Sequence, residues 1–217
     1  MDIPYYIELQ RRMFDIFRYV SCHEKNFGTH SVILESLLVD TCSFFDSLCQ
    51  TLIREKSGAG RVFKRESEVG NFENKVKGGA EFNFADYRIL LEGDFSMSQR
   101  KVNLNPYEDA LYSNPMHYLP DQIAGRLILP FEEWAAGTDA SPWWRAFTDL
   151  KHDRLHNFHE ANLKNAIFAL AAVFIALTLR REAEFKAGSV SLELYDLFFP
   201  KYWTFRGRVA QMNFTWT

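Results

Sequence analysis

One arginine and three histidines, His152, Arg154, His156 and His159, stand at the entrance to the most apolar run of this 217-residue chain, Ala166 to Leu179. Histidine changes charge near neutral pH and moves protons, while arginine offers a planar fork of donors that matches phosphate. The combination suits a site that grips a phosphate and transfers a proton beside it. Two other chemistries fit the same residues. His152 and His156 at i, i+4 can share a metal ion, although the HExxH glutamate is missing and other ligands must come from elsewhere. The residues can equally be structural, with the histidines buried on backbone hydrogen bonds and Arg154 paired with Asp149 or Asp153.

What positions these side chains is the helix that carries them. At about 100° per residue, His152, His156, His159, Leu163, Ile167 and Leu170 fall within about 80° of one another. An unbroken helix therefore makes the histidines continue the apolar stripe, with Arg154 on another face. If the helix starts after Asp153 instead, Arg154 occupies its first turn and can swing toward His159. The helix is expected to run to about Glu184, before Gly188. Ahead of it, Ser141 as N-cap and Pro142 at N1 open a short helix carrying Trp143, Trp144 and Phe147. Beside Arg145, the two tryptophans read as packing against a bundle or as a platform for stacking bases.

Upstream, residues 4 to 20 form an amphipathic helix, broken at HEKNFGTHS with Gly28 as the turn residue. Thr29 or Ser31 then caps a second helix running from Val32 to about Glu55. Its stripe is Leu34, Leu38, Cys42, Phe45, Cys49 and Leu52, with Asp46 at the stripe's edge. Residues 57 to 80 are polar and glycine-bearing and read as a mobile loop with one short helical turn. The alternating charges from Arg61 to Glu68 read as a solvated surface. No strand precedes the glycines and no Lys-Ser/Thr follows, which excludes a phosphate loop. Asn83 can cap a short helix through Leu91, and KVNL and RLIL read as brief strands. Pro106, Pro115, Pro120 and Pro130 exclude long helices around them. Residues 189 to 199 resume an amphipathic helix until Pro200, and the aromatic tail after it is expected to dock as an extended segment. His30, His117 and the Cys22-His23 pair stand alone in sequence and read as incidental.

Composition fits one domain, residues 1 to 217, with 47% hydrophobic residues to fill a core. A net charge of −3 excludes the broad basic surface of general nucleic-acid binders, though a local basic site stays compatible with it. Three cysteines, Cys22, Cys42 and Cys49, make an odd number without paired spacing. They point to a reduced cytoplasmic compartment and to small buried hydrophobes. The N-terminal residues lack the apolar region of a signal peptide. The 14-residue run from Ala166 to Leu179 falls short of the ~20 residues a bilayer requires, so a core helix and no membrane partner are expected.

Arg154-Leu-His-Asn-Phe-His159 resembles the R-x4-H motif of the HEPN superfamily, all-α proteins of prokaryotic defence and toxin systems. An acid-bearing second helix, FFDSL around Asp46, followed by R-x4-H at the entrance of a late apolar helix, is similar in organisation. The resemblance covers the bundle helices, about half of the chain, and leaves aside residues 57 to 130. It implies a mainly α, antiparallel HEPN-like bundle with that mixed, partly extended stretch as an insertion. For catalytic members it implies metal-independent RNA cleavage without a cofactor, in which the 2′-hydroxyl attacks the adjacent phosphate across a homodimer. His159 would then be the acid–base group, Arg154 the phosphate anchor and Asp46 the residue that orients the arginine. His152, His156 and Asp153 would support them. RNA or a nucleotide, and an antitoxin, are the partners it suggests. Catalytic members often carry a polar residue after the arginine, where this chain has Leu155. Many relatives are instead non-catalytic dimerisation or nucleotide- and partner-binding modules.

Overall fold

Two helices open the chain as a hairpin, α1 (Asp2–Phe17) and α2 (Val32–Gly58). The computed structural model describes residues 2–104, 127–138, 141–186 and 197–200. Ser31 caps α2, its hydroxyl accepting from the Leu34 N–H at 3.1 Å. The buried stripe of α2 includes all six of the expected apolar residues. Tyr5 meets Phe44 edge-to-face, while Arg12, two turns further along α1, bonds Asp40 at 2.7 Å and Ser36 at 3.1 Å. Advancing along α1 therefore means retreating along α2, and the pair is antiparallel.

The next stretch is pinned to the body at its two ends. Phe63 and Val69 are buried, and α3 (Phe72–Val76) ties to the following helix through Lys75–Asp86 at 2.5 Å. Arg61 reaches the largely buried Asp94 carboxylate at 2.9 Å and lies over the Phe95 ring. The charges from Arg61 to Glu68 lie mostly at the surface, as expected, but the stretch is not a free loop: buried Phe63 and the Arg61–Asp94 pair tie down its start and Lys75–Asp86 its end. Asn83 caps α4 (Phe84–Tyr87) in a reciprocal capping box with Asp86, and a π turn over Arg88–Glu92 leads into α5 (Gly93–Phe95).

KVNL and RLIL do form strands, β1 (Val102–Leu104) and β2 (Leu127–Ile128), paired antiparallel with Val102 opposite Ile128. A third strand, β3 (Phe198–Pro200), pairs with the other edge of β1 and completes a sheet of order β2-β1-β3. Residues 198 and 199 were expected to be helical. A strand forms because β1 offers an open ladder and the buried Gln10 carboxamide accepts from the Leu197 N–H at 3.1 Å. His117, Pro106, Pro115, Pro120, most of the expected 189–199 helix and the aromatic tail lie outside the described residues.

α6 (Pro142–His152) follows, and its Trp143 is fully buried with its indole N–H donated to the Pro130 carbonyl at 2.7 Å. Phe45, Phe84, Phe131 and Trp144 pack around it, with Trp144 stacked on Phe84 at 4.5 Å and Trp134 behind Phe84 and Phe131. Packing is the role observed for both tryptophans.

After a break come α7 (Arg154–Asn157), α8 (Leu163–Arg180) and α9 (Glu182–Lys186). In α8 every residue except Lys164, Phe168 and Arg180 is buried. A helix apolar on all sides belongs at the centre, and α2, α6 and α1 cover it. By length and composition α8 could cross a membrane, being 18 residues where the sequence suggested 14; 83% of it is buried inside the protein. Its N-terminus is joined to the loop before α2 through a bridge between His30 and Asn162, and its C-terminal Arg180 bonds Glu55 near the end of α2 at 2.6 and 2.8 Å. α2 and α8 therefore run the same way, with α1 and α6 opposed to them. The described residues are mainly helical.

Candidate functional site

All four candidate residues of the 152–159 stretch lie at one end of this helix set, where α6 stops and α8 begins. The chain does not pass there as one helix. Asp153, at φ −148° and ψ 79°, ends α6, and its carboxylate caps α7 by accepting from the His156 N–H at 3.3 Å. A 3-10 turn over Phe158–Glu160 follows, and Asn162 then caps α8, accepting from the Asn165 N–H at 3.0 Å. These two resets destroy the angular phase on which a continuous wheel depends. His152, His156 and His159 consequently face solvent instead of continuing the buried stripe. The expectation of buried, backbone-bonded histidines is corrected with it.

Arg154 sits in the first turn of α7 and turns away from Asp149 and Asp153. Its Nε lies 2.5 Å from Oε1 of Glu35, in the first turn of α2. The two partners differ sharply in exposure: the arginine side chain is 67% exposed and the glutamate 7%. Glu35 is thus a buried carboxylate whose charge is met from one side by Nε, close enough for an ion pair but without hydrogen-bond geometry at Oε1. The terminal amino groups of Arg154 make no hydrogen bond or ion pair among the described residues, so the end of the fork is open to a ligand.

Asp46 does not orient this arginine. It lies eleven residues beyond Glu35 on the same helix, about 16 Å along the axis. There it accepts from the Tyr87 hydroxyl at 2.7 Å and the Gln50 amide at 3.2 Å. Burial, together with nearby Cys49 and Asp46, pushes the Tyr87 phenol far above its ordinary range and keeps it a donor. Asp46 therefore serves the α2–α4 contact. The α2 acid that faces Arg154 is Glu35, three turns earlier.

His159 has a side chain 64% exposed, with Nε2 3.5 Å from Oε1 of Glu160. Asn165 fixes that carboxylate by donating to Glu160 Oε2 at 3.2 Å and to its carbonyl at 2.9 Å. Asn162 donates its amide to the His159 carbonyl at 3.2 Å. His156 Nδ1 is 2.7 Å from Asp153 Oδ2, a surface pair that closes the α7 cap. His152 is exposed at the end of α6. Among the described residues, no group of three or more histidines, cysteines and acids is arranged to hold a metal ion. His152 and His156 are not one turn apart on a continuous helix, because Asp153 ends α6 between them.

His30 is not isolated. Its ring meets Phe158 edge-to-face at 5.5 Å, and its backbone bridges Asn162. Leu163 and Lys164 donate their N–H groups to the carbonyls of Thr29 and Phe27 at 2.9 and 3.2 Å. The loop before α2 and the turn before α8 are one unit. Exposed apolar side chains flank the same end: Val32 and Ile33 in the first turn of α2, and Leu155, 90% exposed, next to Arg154. Cys22, Cys42 and Cys49 are buried and form no disulfide, and burial pushes the Cys42 and Cys49 thiols well up, which leaves those two inert.

No family model matches this chain, and neither a curated protein nor a solved structure shows significant similarity to it.

Proposed function

We propose that the chain is a HEPN-like, metal-independent endoribonuclease of the defence or toxin type, with Arg154 as phosphate anchor and His159 as acid–base group. The observation that carries this reading is the Arg154–Glu35 pair, with an exposed His159 at the same end of the helix set. A buried carboxylate faces the arginine Nε as an ion pair and leaves the phosphate-binding end of the fork free, five residues before a histidine open to solvent.

In the reaction, the 2′-hydroxyl of RNA attacks its own 3′-phosphodiester while Arg154 offsets the charge growing on the phosphoryl oxygens. His159 takes part in the proton transfers, with Glu160 as its counter-ion. Glu35, and not Asp46, is the positioning acid in this reading. The test is cleavage of single-stranded RNA in excess chelator. Wild type should cleave, and Arg154→Ala and His159→Ala should each lose ~100-fold or more, the usual scale for an acid–base group. Undiminished cleavage by His159→Ala refutes the assignment.

A second reading rests on Val32, Ile33 and Leu155. Exposed apolar residues crowding the free arginine suit a dimerisation or partner-binding face, as in non-catalytic modules of this type. A homodimer formed there should dissociate in Leu155→Asp, measured by light scattering.

A further inference from the structure

We infer that His30 is a second catalytic residue of this site, acting as general base on the 2′-hydroxyl while His159 acts as general acid on the leaving oxygen. This inference rests on the endoribonuclease reading and adds a residue to it. Transesterification at an RNA phosphodiester needs two proton movements at opposite sides of the phosphorus. One group takes the proton of the attacking 2′-hydroxyl and another supplies a proton to the departing 5′-oxygen. A single imidazole cannot stand at both positions.

The fold brings His30 to His159 across about 130 residues of sequence. The ring of His30 stands perpendicular, at 89°, to the ring of Phe158, the residue directly before His159. Its backbone pairs with Asn162, the same residue whose amide holds the His159 carbonyl at 3.2 Å. Both histidines therefore hang from one small frame made of Phe158 and Asn162, and both are exposed. Arg154 approaches the same end of the bundle from α7 and is held there by Glu35, five residues after His30.

The two imidazoles differ in what surrounds them, and the difference assigns the roles. His30 has its Nδ1 3.4 Å from the Gly28 carbonyl, and no carboxylate contacts it among the described residues. A proton placed on Nδ1 toward that carbonyl leaves Nε2 with a lone pair, the form a base requires. His159 has Glu160 Oε1 3.5 Å from Nε2, a counter-ion for the imidazolium that an acid requires. In the step, Nε2 of His30 takes the 2′-hydroxyl proton, the O2′–P bond forms and the P–O5′ bond breaks. Imidazolium His159 protonates O5′. The products are a 2′,3′-cyclic phosphate and a 5′-hydroxyl, with no oxidant, water or metal consumed. His30 ends protonated and His159 neutral, so a proton exchange with solvent resets the pair.

Two substrates separate the roles: an RNA dinucleotide, whose leaving alkoxide needs a proton, and uridine 3′-(4-nitrophenyl phosphate), whose leaving group departs without one. His30→Phe keeps the edge-to-face contact with Phe158 and cannot accept a proton. His30→Gln is the second variant if the first fails to fold by circular dichroism. The expected result is a loss of ~100-fold for the His30 variant on both substrates. His159→Ala should lose as much on the dinucleotide and recover to within ~10-fold of wild type on the activated ester. A His30 variant within ~3-fold of wild type on both substrates overturns the inference. So does a His30 variant impaired on the dinucleotide alone, which would make it the acid. If wild type cleaves neither substrate, the endoribonuclease reading itself has failed, a result distinct from the other two.

Discussion

Removing Arg154 should cost more stability than removing the charge of Glu35, although the two form one ion pair. The asymmetry follows from their exposures, 67% for the arginine side chain and 7% for the glutamate. In Glu35→Gln the guanidinium, already mostly in water, loses a partner and gains solvent. The cost should stay within the ~0–1 kcal/mol of an exposed pair. In Arg154→Ala the carboxylate stays behind in the first turn of α2 with no counter-charge. Breaking a fully buried pair in this way costs ~3–5 kcal/mol. Because this pair is wet on one side, ~2 kcal/mol is the figure to expect. For a domain of this length that is a fall in Tm of about 4–8 °C, against less than about 4 °C for Glu35→Gln. Urea denaturation of both single variants and the double variant gives the coupling directly, provided the m-value stays constant. Neutralising Glu35 in the Arg154→Ala background should restore most of the loss. Equal costs for the two single variants, or a double variant no better than Arg154→Ala, would show that Glu35 does not depend on the arginine. The account of the open fork would then lose its foundation.

Trp143→Phe should destabilise by ~1–2 kcal/mol, because the buried Pro130 carbonyl loses its 2.7 Å donor, and chemical denaturation measures it. Asn162→Ala removes the α8 cap and the tie to the His159 carbonyl, and should cost ~1 kcal/mol, with faster amide exchange confined to residues 159–165. Asn162→Asp keeps the cap and should cost less. Burial alone would raise the Asp2 carboxyl. Hydrogen bonds from Arg181 and its own backbone, with the charges of Arg180 and Arg181, outweigh that and hold it well below its ordinary 3.8. A depressed carboxyl contributes stability that is present above the unfolded-state value and lost as pH falls through the folded one. Asp2→Asn should therefore be less stable at neutral pH and lose less on acidification below 3.8 than wild type, read by circular dichroism melts from pH 7 down.

The parts of this fold that were legible in sequence are those decided within one turn of chain. Ser31 and Asn83 announce their helices because a cap satisfies amides only three residues away, and the α2 stripe repeats for about five turns on one face. KVNL and RLIL carry strand chemistry in their own residues. What stayed hidden depends on partners far along the chain. A single wheel over residues 152 to 170 assumed one helix, yet Asn162 restarts the helix where the Thr29 and Phe27 carbonyls receive the first amides of α8. Glu35 could not be preferred to Asp46, since both are acids on α2 and only the packing of α7 chooses between them. His30 looked idle because its neighbours, Phe158 and Asn162, lie more than a hundred positions downstream. Phe198 and Phe199 follow helical periodicity but obey the open edge of β1.

The central place of α8 also bears on how the protein is made. α2 rests chiefly on a helix that leaves the ribosome roughly 130 residues after Leu52, a delay on the order of ten seconds during synthesis. Throughout that interval the buried stripe of α2 lacks the helix it chiefly packs against. A truncated product ending before Leu163 would keep the α1–α2 hairpin and lack its core, making it prey for chaperones and proteases. The residues proposed to cut RNA straddle the same boundary, His30 and Glu35 before it, Arg154 and His159 at its edge. Their assembly waits on the arrival of α8, so an unfinished chain would be harmless to the RNA around it.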